Sequence, residues 1–361
     1  MGANPVLAVG LMSGTSMDGI DAALLQTDGE AKLRPVAFLT VPYDAAFRTR
    51  LAGAVAAGCA NRELERELTR LHADAVRRLI QEAAVAAEKI ALIGFHGHTV
   101  LHSPAKRRTV QIGDGAALAR MTGIAVVDDF RSADVAAGGE GAPLAPVFHR
   151  AIAAGLERPL ATLNVGGVAN VTWIGSDGAL LAFDTGPGNA LIDDWAMAHI
   201  GRPLDAEGRL ASAGKVDEPV LAELMRDAYF ARRPPKSLDR NHFEGAVSRL
   251  AGLGPEDGAA TLTHFTAAAV AAASVHLPEP PLRWIVTGGG RRNPTLMAAL
   301  GLRLGAPVAP IEAIGWDGDA IEAQAFAYMA VRSRRGLPIS FPQTTGAPHP
   351  MTGGRFHALA G

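Results

Sequence analysis

The chain has 361 residues, 48% of them hydrophobic and 19% charged, with 34 lysines and arginines set against 36 aspartates and glutamates. That near-balance gives no electrostatic basis for binding nucleic acid or a membrane surface, and the length exceeds the ~250–300 residues at which single cores stop growing, so two domains are expected. Cys59 is the only cysteine, which excludes an intramolecular disulfide, and no basic segment precedes the first apolar run, so a cytoplasmic location is expected.

In chain order, Val6 to Val9 and Ile20 to Leu25 read as strands of a hairpin whose turn holds Ser13, Gly14, Thr15, Ser16, Asp18 and Gly19. Small residues let backbone N–H groups approach an anion, hydroxyls add donors, and an acid can hold a cation against it. The turn therefore reads as a phosphate cradle, with a plain polar reversal as the alternative. Pro35 to Val41 reads as a third strand. Asn61 to Ala87 carries Leu64, Leu68, Leu71, Ala75, Leu79 and Ile80 at the spacing of an amphipathic helix. Ile90 to Phe95 and Ile124 to Val127 read as buried strands, with a helix near Ala116 to Met121 between them. Asp128 to Pro143 is a long segment without a period, expected to be a functional loop, a domain linker or both.

Leu160 to Val165, Val168 to Ile174 and Ala179 to Phe183 then read as three strands, followed by a helix from about Gly188 to His199. This echo of the opening suggests two related α/β domains. Leu262 to Val275 reads as a buried helix whose Ala267 to Ala273 run is too short to span a bilayer. A strand at Arg283 to Thr287, helices at Asn293 to Leu304 and Ile321 to Arg332, and a loop-rich tail from Pro338 to Gly361 complete the chain.

Two further junctions carry chemistry. In AFDTGPGNALIDDW, Asp184 stands where a strand is expected to end, and Thr185, Gly186, Gly188 and Asn189 lead into a helix with Pro187 near its start. A carboxylate facing a helix N-terminus suits an acid or base beside bound phosphate, and Asp184 lies too far ahead for an ordinary N-cap. In IVTGGGRRNP, a strand ends in Gly288, Gly289 and Gly290 before Arg291, Asn293 and Pro294, leaving bare backbone for a flat ligand. His96, His98 and His102 offer a rival reading as ligands of a metal-dependent hydrolase, but the later His and Asp ligands such sites need have no matching setting. No GxxxxGK[ST] occurs, which argues against a P-loop enzyme.

Three glycine-rich strand junctions in this order resemble the two phosphate segments and the adenosine segment of actin-like ATPases and sugar kinases. GLMSGTSMDGIDAAL, FHGHTVLHSP, QIGDG, VVDDFRSADVAAGGEGAPL, LNVGGVANVT, AFDTGPGNALID and VTGGGRRNP together resemble the successive motifs of the anhydro-N-acetylmuramic acid kinase family. The resemblance implies two actin-like, ribonuclease H-like α/β domains flanking an interdomain active-site cleft. The domains are expected at residues 1–130, completed by 335–361, and at 131–334. It implies the use of ATP, Mg²⁺ and water to convert 1,6-anhydro-N-acetylmuramic acid into N-acetylmuramic acid 6-phosphate in peptidoglycan recycling.

By position in the family's motifs, Asp184 would take the proton from the attacking water. Gly14, Thr15, Ser16, Met17, Asp18, Gly19, Ile20 and Asp21 would bind the ATP phosphates, with Asp18 holding the metal's water shell. Gly166, Gly186, Gly288, Gly289, Gly290 and Asn293 would line the rest of the nucleotide site. His98, Arg131 and Glu322 are the candidates for the sugar, whose lactyl acid wants a cation and whose hydroxyls want acceptors. His98 and Glu140 stand where the family commonly has Gln, which leaves fine sugar specificity open. Nothing in the chain fixes the subunit number, and a homodimer is compatible with the resemblance.

Overall fold

The computed structural model describes residues 4–14, 16–238 and 240–359. The chain divides into two compact units, residues 1–155 with 319–361 and residues 156–318. The divisions thus fall near 155 and 318 instead of the expected 130 and 334, because the loop after Asp128 and the late helix Ile321–Arg334 both pack with the first unit.

In the first unit the strands are β1 (Val6–Ser13), β2 (Gly19–Thr27), β3 (Leu33–Pro42), β4 (Ile90–Ser103), β5 (Arg108–Ile112) and β6 (Val126–Asp128). Their order is β6-β4-β1-β2-β3, with β5 paired to β4 and the C-terminal strand Arg355–His357 on the β6 edge. β1, β2 and β3 pair antiparallel, whereas β1 with β4 and β4 with β6 are parallel. In the second unit β7 (Leu160–Val165), β8 (Val168–Ile174), β9 (Leu180–Pro187), β10 (Trp284–Thr287) and β11 (Val308–Pro310) are ordered β11-β10-β7-β8-β9. Again the first three are antiparallel and the last two join in parallel. Numbered within its own unit, with the hairpin strand β5 set aside in the first, each sheet reads 3-2-1-4-5, the ribonuclease H-like order, so the echo seen in the sequence is a repeated fold.

The helices follow from local chemistry. Asn61 caps Arg62–Glu82 by accepting from the Leu64 N–H, and Leu64, Leu68, Ala75 and Leu79 bury one face against the sheet. The helix stops short of the expected Ala87 because Ala84 takes a left-handed conformation, φ 51°. A helix the hydrophobic pattern did not reveal, Ala45–Ala57, starts at an Asp44 cap and ends at left-handed Gly58. Ile321–Arg334 lies against β1 and β4 at backbone contact. A Cβ at Gly10 would overlap the Ala323 carbonyl oxygen, and one at Gly94 would overlap that of Phe326. These two glycines let the helix sink onto the sheet, and all but its early Glu322 and the residues at its C-terminal end are buried.

Three segments differ from expectation. β4 runs on through the histidine motif to Ser103 and turns at Arg107 into β5, so FHGHTVLHS is a hairpin arm. The long segment after Asp128 folds a short helix, Ser132–Ala137, ending at left-handed Gly138. The tail supplies the strand Arg355–His357, paired with β6. In the second unit Pro255–Ala273 fills the core, and the stretch Pro255–His276 is long and apolar enough to cross a membrane, yet most of it is buried within the protein.

Candidate active-site residues

In the first unit β1 and β2 pair through Met12 and Asp21, leaving the turn between Ser13 and Gly19 to project from the sheet. The Met17 N–H donates to the Gly14 carbonyl at 3.0 Å, and Met17 itself is left-handed at φ 54°. Ser16 donates to the Asp18 carboxylate at 2.8 Å, and both side chains are exposed. Gly14 has no neighbour that a side chain there would strike, so its backbone is open. These are the features of an anion cradle with a carboxylate at its rim. Thr15 lies outside the described residues. Ile20 is fully buried and Met17 packs on the same core, so their part in the turn is to anchor it. Gly19 sits close under the Val41 carbonyl, and Asp21 accepts from Thr40 at 2.6 Å.

Tyr43 braces the turn twice. Its N–H donates to the Asp18 carbonyl at 3.0 Å and its hydroxyl donates to Ser13 Oγ at 2.8 Å. Ser13 Oγ in turn meets His98 Nδ1 at 2.9 Å. Ser13 Oγ thus accepts from Tyr43 and shares a second hydrogen bond with the imidazole, whose direction follows the His98 tautomer. His98 is fully buried, and burial drives its pKa down to about 4. The structure therefore puts His98 beneath the cradle, braced against Ser13, where sequence reasoning set it against the sugar.

Arg131 and Glu322 share this unit. Arg131 Nη1 donates to the Gly141 carbonyl at 2.7 Å, while Nε and Nη2 both reach His96 Nε2, at 3.2 and 3.1 Å. Its pKa is lowered to about 10, first by burial, with Glu322 and Asp134 opposing. Glu322 keeps solvent access, yet its carboxyl is pushed up by loss of solvation among surrounding protein and by Asp21 and Asp18, with Arg131 opposing. Asp18, Asp21 and Arg131 thus all act on the charge of Glu322. Among the described residues no group of three His, Cys, Asp or Glu side chains is placed to hold a metal. His96, His98 and His102 point to different partners (Arg131, Ser13 and Thr109), which removes the geometric basis of the hydrolase reading.

The second unit holds Asp184. β9 continues past it to Pro187, because Gly186 and Pro187 still pair with Ala169 and Val168 beyond a bulge at Ala169/Asn170. Asp184 is thus inside the strand, not at its end. The segment 229–238 folds over it. The Asp184 N–H donates to the Lys236 carbonyl at 3.1 Å, the Leu238 N–H donates to Asp184 Oδ2 at 2.8 Å, and the Tyr229 hydroxyl donates to the Asp184 carbonyl at 2.7 Å. A half-buried carboxylate held by a backbone N–H, on a strand position itself pinned by two further bonds, has an orientation that would suit a general base.

Lys236 is nearly fully buried, its ammonium 4.6 Å from the Tyr229 ring centre and 5.6 Å from that of Phe183. Burial, with Arg232 adding and Asp184 opposing, lowers its pKa to about 8. Sequence reasoning missed Lys236, Tyr229 and Leu238; the only signal was a lysine in the proline-rich run RRPPKS.

The helix after Asp184 is Ala190–Ile200, and the approach to it is tied back to the end of β7, although Asn189 makes no side-chain cap. The N–H groups of Gly188 and Ala190 donate to the Gly167 carbonyl, and that of Asn189 donates to the Gly166 carbonyl at 2.7 Å. Gly166 thus acts through its carbonyl, tying β7 to the helix. Gly186 is buried where a Cβ would press on Ala269. At the third junction Gly288 has φ 74° and lies so close to Val165 that no side chain fits. Gly289 is exposed, Gly290 packs on Val165, and Asn293 caps Pro294–Arg303 by accepting from the Leu296 N–H at 3.0 Å. Arg291 is held beside these glycines by Glu312 at 2.7 Å and by the Gly288 carbonyl.

Comparison with known proteins identifies the setting. The curated relatives include proteins named anhydro-N-acetylmuramic acid kinase from Paramagnetospirillum magneticum, 59% identical over 98% of this chain and 99% of that protein, and from Rhodospirillum rubrum, 55% identical over 98% and 95%. Among solved structures, component A of the (R)-2-hydroxyglutaryl-CoA dehydratase of Acidaminococcus fermentans matches with a TM-score of 0.50 at 12% identity, covering 90% of this chain and 99% of that one, a likeness of fold alone. The profile of the family described as anhydro-N-acetylmuramic acid kinase matches residues 6–358, and with relatives this similar over almost their whole length the chain belongs to that family.

Proposed function

We propose that this chain is an ATP-dependent phosphotransferase that opens 1,6-anhydro-N-acetylmuramic acid with water and phosphorylates it to N-acetylmuramic acid 6-phosphate, in cytoplasmic recycling of peptidoglycan. The observation that carries the mechanism is the fixed carboxylate of Asp184, which Leu238 orients through its backbone N–H. Asp184 accepts a proton from water as that water bonds to the anomeric carbon. The bond from that carbon to the bridging oxygen breaks, and the oxygen at carbon 6 takes the γ-phosphoryl group from ATP, with ADP leaving. Phosphoryl transfer depends on positioning and charge neutralisation, which a hydroxyl-rich turn with open backbone supplies.

Gly14, Thr15, Ser16, Asp18 and Gly19 hold the phosphates in this reading, with Met17, Ile20 and Asp21 anchoring the turn. Exposed Asp18, with Asp21 following it, offers the hard oxygen donors that suit Mg²⁺, whose role when bound is to neutralise phosphate charge. Gly166, Gly186, Gly288, Gly289, Gly290 and Asn293 shape the nucleotide side of the second unit. Arg131 takes the lactyl carboxylate and Glu322 accepts from sugar hydroxyls, while His98 acts indirectly through Ser13. A homodimer is compatible with this reading, and sedimentation tests it. Incubation with ATP, Mg²⁺ and the anhydro sugar should yield a product heavier than the sugar by one water and one phosphoryl group. A product carrying phosphate without water overturns the coupled hydrolysis.

A further inference from the structure

Arg131 is half-buried, and a guanidinium withdrawn from water is ordinarily paired with a carboxylate. Arg131 is not: among the described residues no carboxylate forms an ion pair with it, and its three nitrogens go to a carbonyl and an imidazole. Asp134, the acid nearest in sequence, is occupied elsewhere. Its Oδ1 accepts from the Gly141 N–H at 2.7 Å, and its Oδ2 accepts from the hydroxyls of Ser340 and Thr345. By fixing Gly141 it fixes the carbonyl on which Arg131 rests.

The imidazole partner is His96, nearly fully buried, with its ring 4.6 Å from that of Phe326. Its Nδ1 meets the Gly97 carbonyl at 2.9 Å, so Nδ1 carries the hydrogen and Nε2 presents a lone pair. A protonated ring could not accept from Arg131, and burial together with the Arg131 charge holds the His96 pKa well below its ordinary value. The neutral ring thus aims the guanidinium without forming an ion pair with it, and Glu322 and Asp134 act on its charge only from beyond hydrogen-bond contact.

We propose that His96 is a positioning residue that sets the preference for a carboxylated sugar, by holding Arg131 through a neutral acceptor so that its charge is not spent on an ion pair and stays available to the substrate's acid. The inference rests on the reading of Arg131 as the partner of the lactyl carboxylate. An acid at position 96 would pair with the guanidinium and remove that attraction, whereas an uncharged acceptor would preserve it.

The test measures binding, by calorimetry without nucleotide, of 1,6-anhydro-N-acetylmuramic acid and of 1,6-anhydro-N-acetylglucosamine, which lacks the lactyl group, to wild type, His96→Glu, His96→Gln and Arg131→Met. His96→Glu should weaken the carboxylated sugar on the order of 10- to 100-fold while leaving the lactyl-free sugar within about threefold, and His96→Gln should stay near wild type, as charge-assisted pairing predicts. Equal weakening of both sugars, or none, overturns the proposal. If Arg131→Met is not selective for the carboxylated sugar, the reading of Arg131 fails. Nitrogen-15 NMR of the wild-type protein then still decides the His96 geometry, because a protonated Nε2 at neutral pH overturns it.

Discussion

The first unit should lose stability steeply in mild acid. His72, His98 and His149 are almost completely buried there, and burial lowers each from 6.5 to about 4. As pH falls, the unfolded chain takes up these protons first, while the folded chain resists until about pH 4. Stability is therefore highest above pH 6.5 and declines between 6.5 and 4. By linkage each ring contributes about 2 kcal/mol of loss at pH 5, and the three together about 6 kcal/mol. That is comparable to a domain's whole margin of ~5–15 kcal/mol.

Hydrogen exchange read by mass spectrometry over Arg62–Glu82 and Ile90–Ser103 isolates the first unit from the second. Opening free energies corrected for intrinsic exchange should drop by several kcal/mol between pH 7.5 and 5, on the scale of the linkage estimate. His72→Phe should remove about 2 kcal/mol of that drop, since a phenyl ring keeps the contact with Phe95 and cannot titrate. A free energy that stays flat over this range would refute the reasoning.

Other outcomes follow from single contacts. Asp184→Asn should keep nucleotide affinity while turnover of the anhydro sugar falls about 10²- to 10⁴-fold, the range for losing a general base; steady-state rates alongside nucleotide titration check it, and near-normal turnover sinks the assignment. Gly94→Ala should destabilise the first unit by about 1–3 kcal/mol or more, because the new methyl meets the Phe326 carbonyl; an unchanged melting curve would contradict that close approach. Tyr43→Phe should lower stability by about 1 kcal/mol by removing the buried donor to Ser13, as urea titration can measure. Gly288→Val should cost both stability and ATP affinity, since φ 74° suits no β-branched side chain; retention of both would free that glycine from its assigned role.

The sequence exposed the architecture because hydrophobic runs and glycine stops repeat in the same order in both units. It exposed the hairpin turn because Ser16, Asp18 and Gly14 are close neighbours in the chain. What it hid depends on partners far apart in sequence. Asp184 looked like a strand end, since Thr185, Gly186 and Pro187 read as a turn, but Ala169 and Val168 keep the ladder going. The helix N-terminus after it looked free of the preceding chain, yet the Gly166 and Gly167 carbonyls take the N–H groups of Gly188, Asn189 and Ala190. The histidine motif looked like a ligand set because its spacing is regular, and only the fold sends His96 to Arg131 and His98 to Ser13. Lys236 reaches Phe183 and Tyr229 by a loop of no regular pattern, so periodicity gave it no mark.

The helix that settles onto Gly10 and Gly94 comes from residues 321–334, more than 200 positions downstream of the strands β1 and β4 that carry them. During synthesis the strands β1 to β4 therefore emerge with an apolar face that nothing yet covers. The second unit is continuous, at residues 156–318, and completes its own sheet first. At about 5–20 residues per second the nascent sheet waits on the order of ten seconds or more for its helix. This reverses the usual order in which the N-terminal domain finishes first, and it makes the early half of the chain the part most in need of a chaperone on the ribosome.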